Sequence, residues 1–324
     1  MKRRGASLLA GLAGALIMST AALAQADTAA PPARSRDNIV VTGRAEGEAP
    51  TERQVTRQAR SITEPGQLRR SPLPRFEDRL CPGVMGLKAD AASLMIDRIR
   101  DTADRLDLWL TEDDGTCSPN FIVAFVEDGQ ADLQRIADNQ HWMFRDMSRA
   151  EQRELLEEEG PVRVWTITEM RTRDGIPVPR SDSLFAPPQV NTWMAHSKIY
   201  LPIREDITRV VVLFNMEGVK GKTLLQLADY SIMRGLARTR PVSESGQAMD
   251  TILALFDPAG SPPLQMTEFD RAYLGAVYDG IPNIPGITKV QGVNRQLRLQ
   301  AEGRATLEQT TPGYNPGEPV SSPE

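Results

Sequence analysis

The chain has 324 residues, a formal net charge of −5, two cysteines and two histidines, and hydrophobic residues make up 40% of it. This composition can bury a substantial core. The acidic balance argues against nucleic acid as a partner of the folded part. His141 and His196 lie far apart in the sequence and cannot alone fill a zinc site, so we expect no metal and no cofactor.

Residues 1–24 have the organisation of a secretory signal peptide, with a basic start, an apolar middle and a small-residue end. Ala22 and Ala24 fit the cleavage pattern, which makes Gln25 the new N-terminus. Cleavage removes three basic residues and no acid, so the net charge becomes −8. We expect a periplasmic or secreted protein with no integral membrane segment after cleavage, because no second apolar run reaches about 18 residues.

Residues 25–75 are rich in Ala, Pro, Arg, Glu and Gln and predict a disordered tether. Its one apolar cluster is Ile39, Val40 and Val41. The stretch Asp37–Gly43, with the sequence DNIVVTG, resembles the TonB box of outer-membrane receptors, which pairs with a sheet edge as an added strand. The resemblance implies TonB as a partner. The alternative is a short apolar strand in a disordered arm.

Residues 76–300 predict a single domain of two lobes, 76–160 and 161–300. The elements expected in the first lobe are a helix from Asp90, a strand over 121–126, a helix over 129–140 and a helix from Ser148 to about Gly160. Cys81 and Cys117 are the only cysteines, so an oxidising compartment predicts a disulfide between them.

The second lobe begins with a predicted strand over 162–168, whose partner is either 191–200 or 209–214. A polar, proline-broken excursion over 173–188 separates the candidates, and a loop of this size is typical of a functional element. The helices expected after it cover 223–238, 245–255 and 267–278. Residues 301–324 predict a disordered tail. The expected fold is α+β, a mixed sheet with flanking helices.

Gly221, Lys222 and Thr223 lie between a predicted strand and a predicted helix, as in a phosphate-binding P-loop. Such a loop needs glycine at position 216, which is Met216 here. A simple loop with Thr223 as the helix N-cap explains the three residues equally well.

The chain has no G-x-S-x-G and no S-x-x-K motif, and the candidate catalytic residues are His196 and Asp229. His196 is a potential base that Asp174 or Asp182 of the long loop would orient. The alternative is a hydrogen-bonded histidine on a strand.

Part of the second lobe resembles the C-terminal half of zincin-type metalloproteases, over residues 221–280. The segments that carry the resemblance are 228–235 (ADYSIMRG), 251–256 (TILALF) and 264–278 (LQMTEFDRAYLGAVY). Gly235, Asp270 and Tyr278 match the zincin pattern. The zinc-binding set does not match it: Ala228 and Ile232 stand at the histidine positions, Asp229 at the glutamate position and Arg238 at the third ligand position. The resemblance therefore implies a degenerate, metal-free protease fold, a pseudoenzyme.

A second resemblance covers most of residues 68–285. The segments at 81–87 (CPGVMGL), 117–125 (CSPNFIVAF) and 227–230 (LADY) are similar to those of a group of uncharacterised secreted proteobacterial proteins. That group implies an exported, disulfide-linked domain and no reaction.

The sequence favours a non-catalytic domain that binds a protein or peptide in the cell envelope, along a sheet edge. One alternative is a metal-independent hydrolase that uses His196 and nearby carboxylates. Another is a TonB-linked accessory protein that acts through residues 39–43.

Overall fold

The computed structural model of the chain describes residues 49–310, apart from residues 65, 67, 113–114, 140–143, 145–146, 148, 159, 180–196, 198 and 244. The helices are α1 (Glu52–Ile62), α2 (Ala89–Arg105), α3 (Gly129–Asn139), α4 (Arg149–Glu157), α5 (Leu224–Leu236), α6 (Glu268–Tyr278) and α7 (Gly286–Thr310). The strands are β1 (Pro82–Met85), β2 (Phe121–Val126), β3 (Val162–Thr172) and β4 (Ile203–Asn215).

The four strands form one mixed sheet in the order β1-β2-β4-β3. β1 and β4 both run parallel to β2, whereas β3 runs antiparallel to β4 and lies at the edge. Helices cover both faces of the sheet, which confirms the predicted mixed sheet with flanking helices. Of the two predicted partners of β3, the segment over 209–214 is correct, since it lies within β4.

The two faces of the sheet bury separate sets of side chains because strand residues alternate between faces. On one face Val123, Val210 and Val212 belong to the main core, together with buried residues of α1, α2, α5, α6 and α7. On the other face Val211 and Leu213 pack in a smaller core with residues of α3 and α4. The sheet is therefore the middle of three layers.

The predicted lobes 76–160 and 161–300 both contribute strands to the one sheet. The first range supplies β1 and β2, the second supplies β3 and β4, and β2 pairs directly with β4. Strong local patterns locate each strand, but they do not reveal that the strands join in one sheet. The central parallel pair buries residues of both ranges in a common core.

The predicted tether over 25–75 is wrong for its C-terminal part. α1 begins after Thr51, whose hydroxyl accepts the backbone N–H of Gln54 in a capping box. Val55, Ala59 and Ile62 then form a buried stripe against the main core. Only three apolar side chains at helical spacing mark this helix, so its composition resembles that of a disordered segment.

Two further boundaries differ from expectation. α7 continues to Thr310, past the predicted domain end at residue 300, and among its described residues the buried apolar side chains are Val290 and Val293. The predicted helix over 245–255 is replaced by a short 3-10 turn, Ile252–Ala254. That turn is held by Asp270, which accepts the backbone N–H of Ile252 at 2.9 Å.

The predicted disulfide between Cys81 and Cys117 is present. Cys81 immediately precedes β1, and its backbone O accepts the N–H groups of Asn120 and Phe121 at 3.0 and 3.2 Å. The bridge thus fixes the loop before β2 to the start of the sheet. Within residues 49–310 as described, every helix is too short or too polar to cross a membrane.

Candidate functional site: a cleft along the edge strand

A cleft of about 890 Å³ opens along β3, and we call it the edge cleft. The end of α4 contributes one side, and the last turn of α5 with the segment after it contributes the other. Its carboxylates are Glu64, Glu154, Glu157, Glu158 and Glu205. Its guanidinium groups are Arg234, Arg238 and Arg240.

The backbone of β3 is oriented so that it can pair on the cleft side. Thr166 pairs with Val210, and the N–H of Val210 donates to the O of Asn120, toward β2. In an antiparallel pair of this kind the polar backbone groups point away from each other, so those of Thr166 point out of the sheet. Those of Val164, two residues away, do the same. In the described part of the chain no strand pairs with β3 at Val164 or Thr166.

The far end of β3 shows that this edge accepts an added segment. The chain folds back after β3, and the N–H of Thr172 donates to the O of Ile176 at 2.8 Å. The N–H of Val178 donates to the O of Met170, also at 2.8 Å. Residues 176–178 thus already pair with the outer side of β3.

Arg234 lies in the last turn of α5 and is buried in the wall of the edge cleft, with 8% of its surface exposed. Its Nη1 donates to the hydroxyl of Tyr230 at 2.8 Å, and the guanidinium lies 5.7 Å from the centre of that ring. Its Nε has no hydrogen-bond partner in the structure as described. A buried donor without a partner costs about 1–3 kcal/mol.

Trp165 is the second buried donor of the edge cleft. Its side chain is on the α3–α4 face of the sheet, where it stacks on Phe144 with ring centres 5.8 Å apart. The residue is 2% exposed, and no described atom accepts a hydrogen bond from its Nε1. Two buried N–H donors therefore line the edge cleft, and neither has an acceptor among the described residues.

Arg238 has the opposite character, because its charge is compensated. It lies two residues after the end of α5 with φ of 46° and forms an ion pair with Glu64. Its Nη1 also lies 3.4 Å from Oε1 of Glu205. The pair with Glu64 links the end of α5 to the segment after α1, so Arg238 closes one end of the edge cleft.

Gly235 allows α5 to lie close enough to the sheet to form this wall. A Cβ at this position would lie 2.5 Å from Cε2 of Phe121 and 3.2 Å from Cγ1 of Val210. Both neighbours are buried residues of the sheet, so they have little room to move.

Glu158, just beyond α4, is a carboxylate that interacts electrostatically with Arg234. Burial raises the pKa of Glu158, while the charges of Arg234 and Arg163 act in the opposite direction. Its backbone O accepts Nη2 of Arg163 at 2.7 Å. Glu154 is exposed, so the outer rim of the edge cleft carries solvated negative charge.

The structure places the candidate catalytic residue Asp229 outside the edge cleft, where its buried carboxylate forms an ion pair with the partly exposed Arg98. Nε and Nη2 of Arg98 on α2 donate to its two oxygens at 2.7 and 3.0 Å. Oδ2 also accepts the backbone N–H of Met266. Asp229 thus joins α5 to α2 and to the segment before α6. His196, Asp182 and the TonB-box-like segment lie outside the described residues, and Asp174 lies in an exposed turn after β3.

The other residues that carry the zincin resemblance pack in the core, cap a helix or join two helices. Ala228 and Ile232 are buried in the main core. Asp270 caps α6 and accepts the hydroxyl of Thr251, and burial raises the pKa of its carboxyl group. The hydroxyl of Tyr278 donates to the O of Leu236 at 2.7 Å and ties α6 to the end of α5.

The loop over Gly221–Thr223 supports the N-cap interpretation of that motif. The Thr223 hydroxyl accepts the N–H of Gln226, and the Gln226 side chain accepts the N–H of Thr223. Nζ of Lys222 lies 6.0 Å from the ring centre of Phe256. Thr223 is thus engaged with the start of α5, and Lys222 with an aromatic ring.

Sequence reasoning missed Arg234 and Trp165. The only local signal was an arginine among the apolar residues of an otherwise buried helix, and a tryptophan in the middle of an alternating strand. Among the described residues, no three His, Cys, Asp or Glu side chains are grouped so that they could hold a metal ion. Comparisons with models of protein families, with curated proteins and with solved structures find no match to this chain.

Proposed function

We propose that this protein is a non-catalytic binding domain that takes up an extended polypeptide segment in the edge cleft, as an added strand on β3. The observation that carries the proposal is an edge strand whose outward backbone groups at Val164 and Thr166 line a cleft of peptide-binding size. Backbone pairing would provide affinity, and the side chains of the cleft would provide specificity.

The charges of the edge cleft support a ligand with basic side chains. The exposed residues Glu154 and Glu157 lie on the α4 side. Among the described residues that line the opposite side, Arg240 has the one exposed guanidinium. A rim of this kind favours cationic groups and speeds their approach. We place this binding in the periplasm or outside the cell, a location supported by the disulfide and by the predicted signal peptide.

The test is selection of binding peptides from a random display library with the purified chain, followed by fluorescence polarisation of the selected peptides. We expect N-methylation of the peptide backbone to weaken binding by tenfold or more at every second position, because alternate amides of a strand pair with its neighbour. The double variant Glu154→Lys/Glu157→Lys should weaken binding, whereas Glu112→Lys, an exposed glutamate outside the cleft, should not.

Two results would contradict the proposal. One is a library that yields no binding peptide above background. The other is a selected peptide whose affinity shows no alternation along the N-methylation series and does not change in the Glu154→Lys/Glu157→Lys variant.

A further inference from the structure

Five exposed arginines lie between residues 53 and 70, in α1 and in the segment that follows it. They are Arg53, Arg57, Arg60, Arg69 and Arg70. The only acidic residue in this stretch is Glu64, so the stretch has a formal charge of +4, in a chain whose net charge is −5. This part of the surface is therefore basic although the protein is acidic.

The five arginines belong to one continuous surface, which we call the basic face. Arg53, Arg57 and Arg60 have the spacing i, i+4 and i+7, which places them within about 60° of one another around α1 and over a length of about 10 Å. The buried stripe of α1 lies on the opposite side of the helix. Arg60 also lines a depression of about 380 Å³ together with Arg69 and Arg70.

The charge of the basic face is not neutralised within the part of the chain that the structure describes. Glu52 and Glu64, the nearest acids in that part of the sequence, are each paired with an arginine of another segment. No described residue forms an ion pair or a side-chain hydrogen bond with any of the five arginines. The exposed Arg105 and Arg135, by contrast, are paired with carboxylates of their own helices.

The depression combines this charge with an apolar floor. Leu68 and Ile287 line it between the three arginines, and no described acidic residue does. Guanidinium groups beside an aliphatic surface match a molecule in which an anionic group adjoins a hydrocarbon chain. Binding to a membrane surface depends on these same two contributions, buried apolar area and attraction to anionic lipids.

We propose that the basic face binds the surface of a bilayer that contains anionic phospholipids. The five guanidinium groups lie at the level of the lipid phosphates, and the depression takes up one head group with the start of its acyl chain. An acidic polypeptide or a nucleic acid would match the arginines but would leave the floor formed by Leu68 and Ile287 without a role. The inference goes beyond the proposed function, because the edge cleft and the depression have no described lining residue in common.

The experiment is co-sedimentation of the predicted exported chain, from Gln25 onward, with vesicles. Residues 1–24 are omitted because their apolar segment would itself enter a bilayer. One set of vesicles contains phosphatidylcholine alone and the other about 30% phosphatidylglycerol. We expect binding to the anionic vesicles only, with an affinity that falls about tenfold or more when NaCl is raised from about 50 mM to about 500 mM.

Two double variants locate the binding surface. Arg60→Gln/Arg69→Gln should weaken binding to the anionic vesicles about tenfold or more, because each arginine near such a surface contributes separately. Arg135→Gln/Arg153→Gln removes the same charge from exposed positions of α3 and α4, on the other side of the sheet from α1. This control should change the affinity about twofold at most. Leu68→Asn, which leaves the charge unchanged, should weaken binding about threefold or more.

Equal binding to both kinds of vesicle, or binding to neither, overturns the proposal. So does an equal loss of affinity in the control variant, which would place the binding surface elsewhere. Release of the chain from the anionic vesicles by polyglutamate or double-stranded DNA, at a lower concentration of charge than that of the lipid, would assign the basic face to a different class of partner. Circular dichroism checks the fold of each variant, and Arg53→Gln/Arg57→Gln replaces the first variant if that chain does not fold.

Discussion

Asp229 is a buried carboxylate whose partners come from two other parts of the fold. It accepts from Arg98 and from the backbone N–H of Met266. We expect Asp229→Ala to lower the free energy of unfolding by about 3 kcal/mol, since Arg98 loses its hydrogen-bonded carboxylate and a buried N–H loses its acceptor. Asp229→Asn should cost less, because it retains an acceptor for Met266. Urea unfolding followed by circular dichroism measures both.

The matched control is the pair formed by Glu217 and Lys220, whose side chains are 77% and 71% exposed. Glu217→Ala should change the stability by at most about 0.5 kcal/mol, as is usual for exposed ion pairs. An effect of Asp229→Ala no larger than that of this control would show that the buried pair does not contribute to stability.

The roles that could be predicted from the sequence are those of residues that bond to their neighbours in the chain. Thr223 was one candidate N-cap from the sequence and has that role, since a cap depends on groups three residues away. Arg234 was not predictable as a site residue. Whether its Nε finds a partner depends on Tyr230, Glu158 and β3, and the fold brings the last two to it from distant parts of the chain.

At the scale of elements, the β3–β4 ladder ends in a cluster of charges around Asp206. Arg204 on β4 donates to Oδ2 of Asp206 at 2.9 Å, and Arg171 on β3 lies 3.3 Å from the same oxygen. Oδ1 is buried without a partner in the described part of the chain. Burial raises the pKa of Asp206 to about 6, with Glu77 adding to the shift and both arginines opposing it.

This shift predicts how stability depends on pH. The folded state binds the proton of Asp206 more tightly than the unfolded state, whose pKa is near 4. Stability from this group is therefore complete below about pH 4, declines as pH rises from 4 to 6 and is lost above 6. We expect Asp206→Asn to become more stable than the unchanged chain over this range, by up to about 3 kcal/mol.

Urea unfolding at pH 4, 5, 6 and 7 tests this expectation as a difference between the two chains. Asp104→Asn, an exposed carboxylate of α2, controls for the general effect of removing a negative charge and should show no such trend. A difference that stays constant or has the opposite slope would mean that Arg171 and Arg204 keep Asp206 ionised throughout.

Elements with a strong pattern of their own were predicted well, and the others were not. β2 consists of six apolar residues, four of them buried, and α2 has a clear buried stripe, so burial alone defines them. α7 was missed and α1 was not expected to be part of the core, because each is stabilised by contact with the rest of the fold. Asn294 of α7, for example, donates to Thr56 of α1 at 2.9 Å.

For the whole molecule, the segment before residue 76 is an integral part of the fold. Gln58 exchanges two hydrogen bonds with the backbone of Met249, each of 2.7 Å. The hydroxyl groups of Thr63 and Tyr273 lie 2.7 Å apart in the core. Arg75 donates to three backbone oxygens at the end of α6, those of Val277, Tyr278 and Gly280.

We therefore expect a chain that begins at residue 76 to lack a cooperative fold, whereas one that covers 49–310 unfolds with the same urea midpoint as the full chain. The shorter chain loses the buried side chains of Val55, Ile62 and Leu73. Each contributes about 1.5–3 kcal/mol, so together they approach the whole stability of a typical domain. Near-ultraviolet circular dichroism distinguishes the outcomes, because Tyr273 and Tyr278 would lose their fixed surroundings. A chain from residue 76 with a native spectrum and an unchanged midpoint would show that the domain starts at residue 76, as the sequence predicts, and that the core folds without α1.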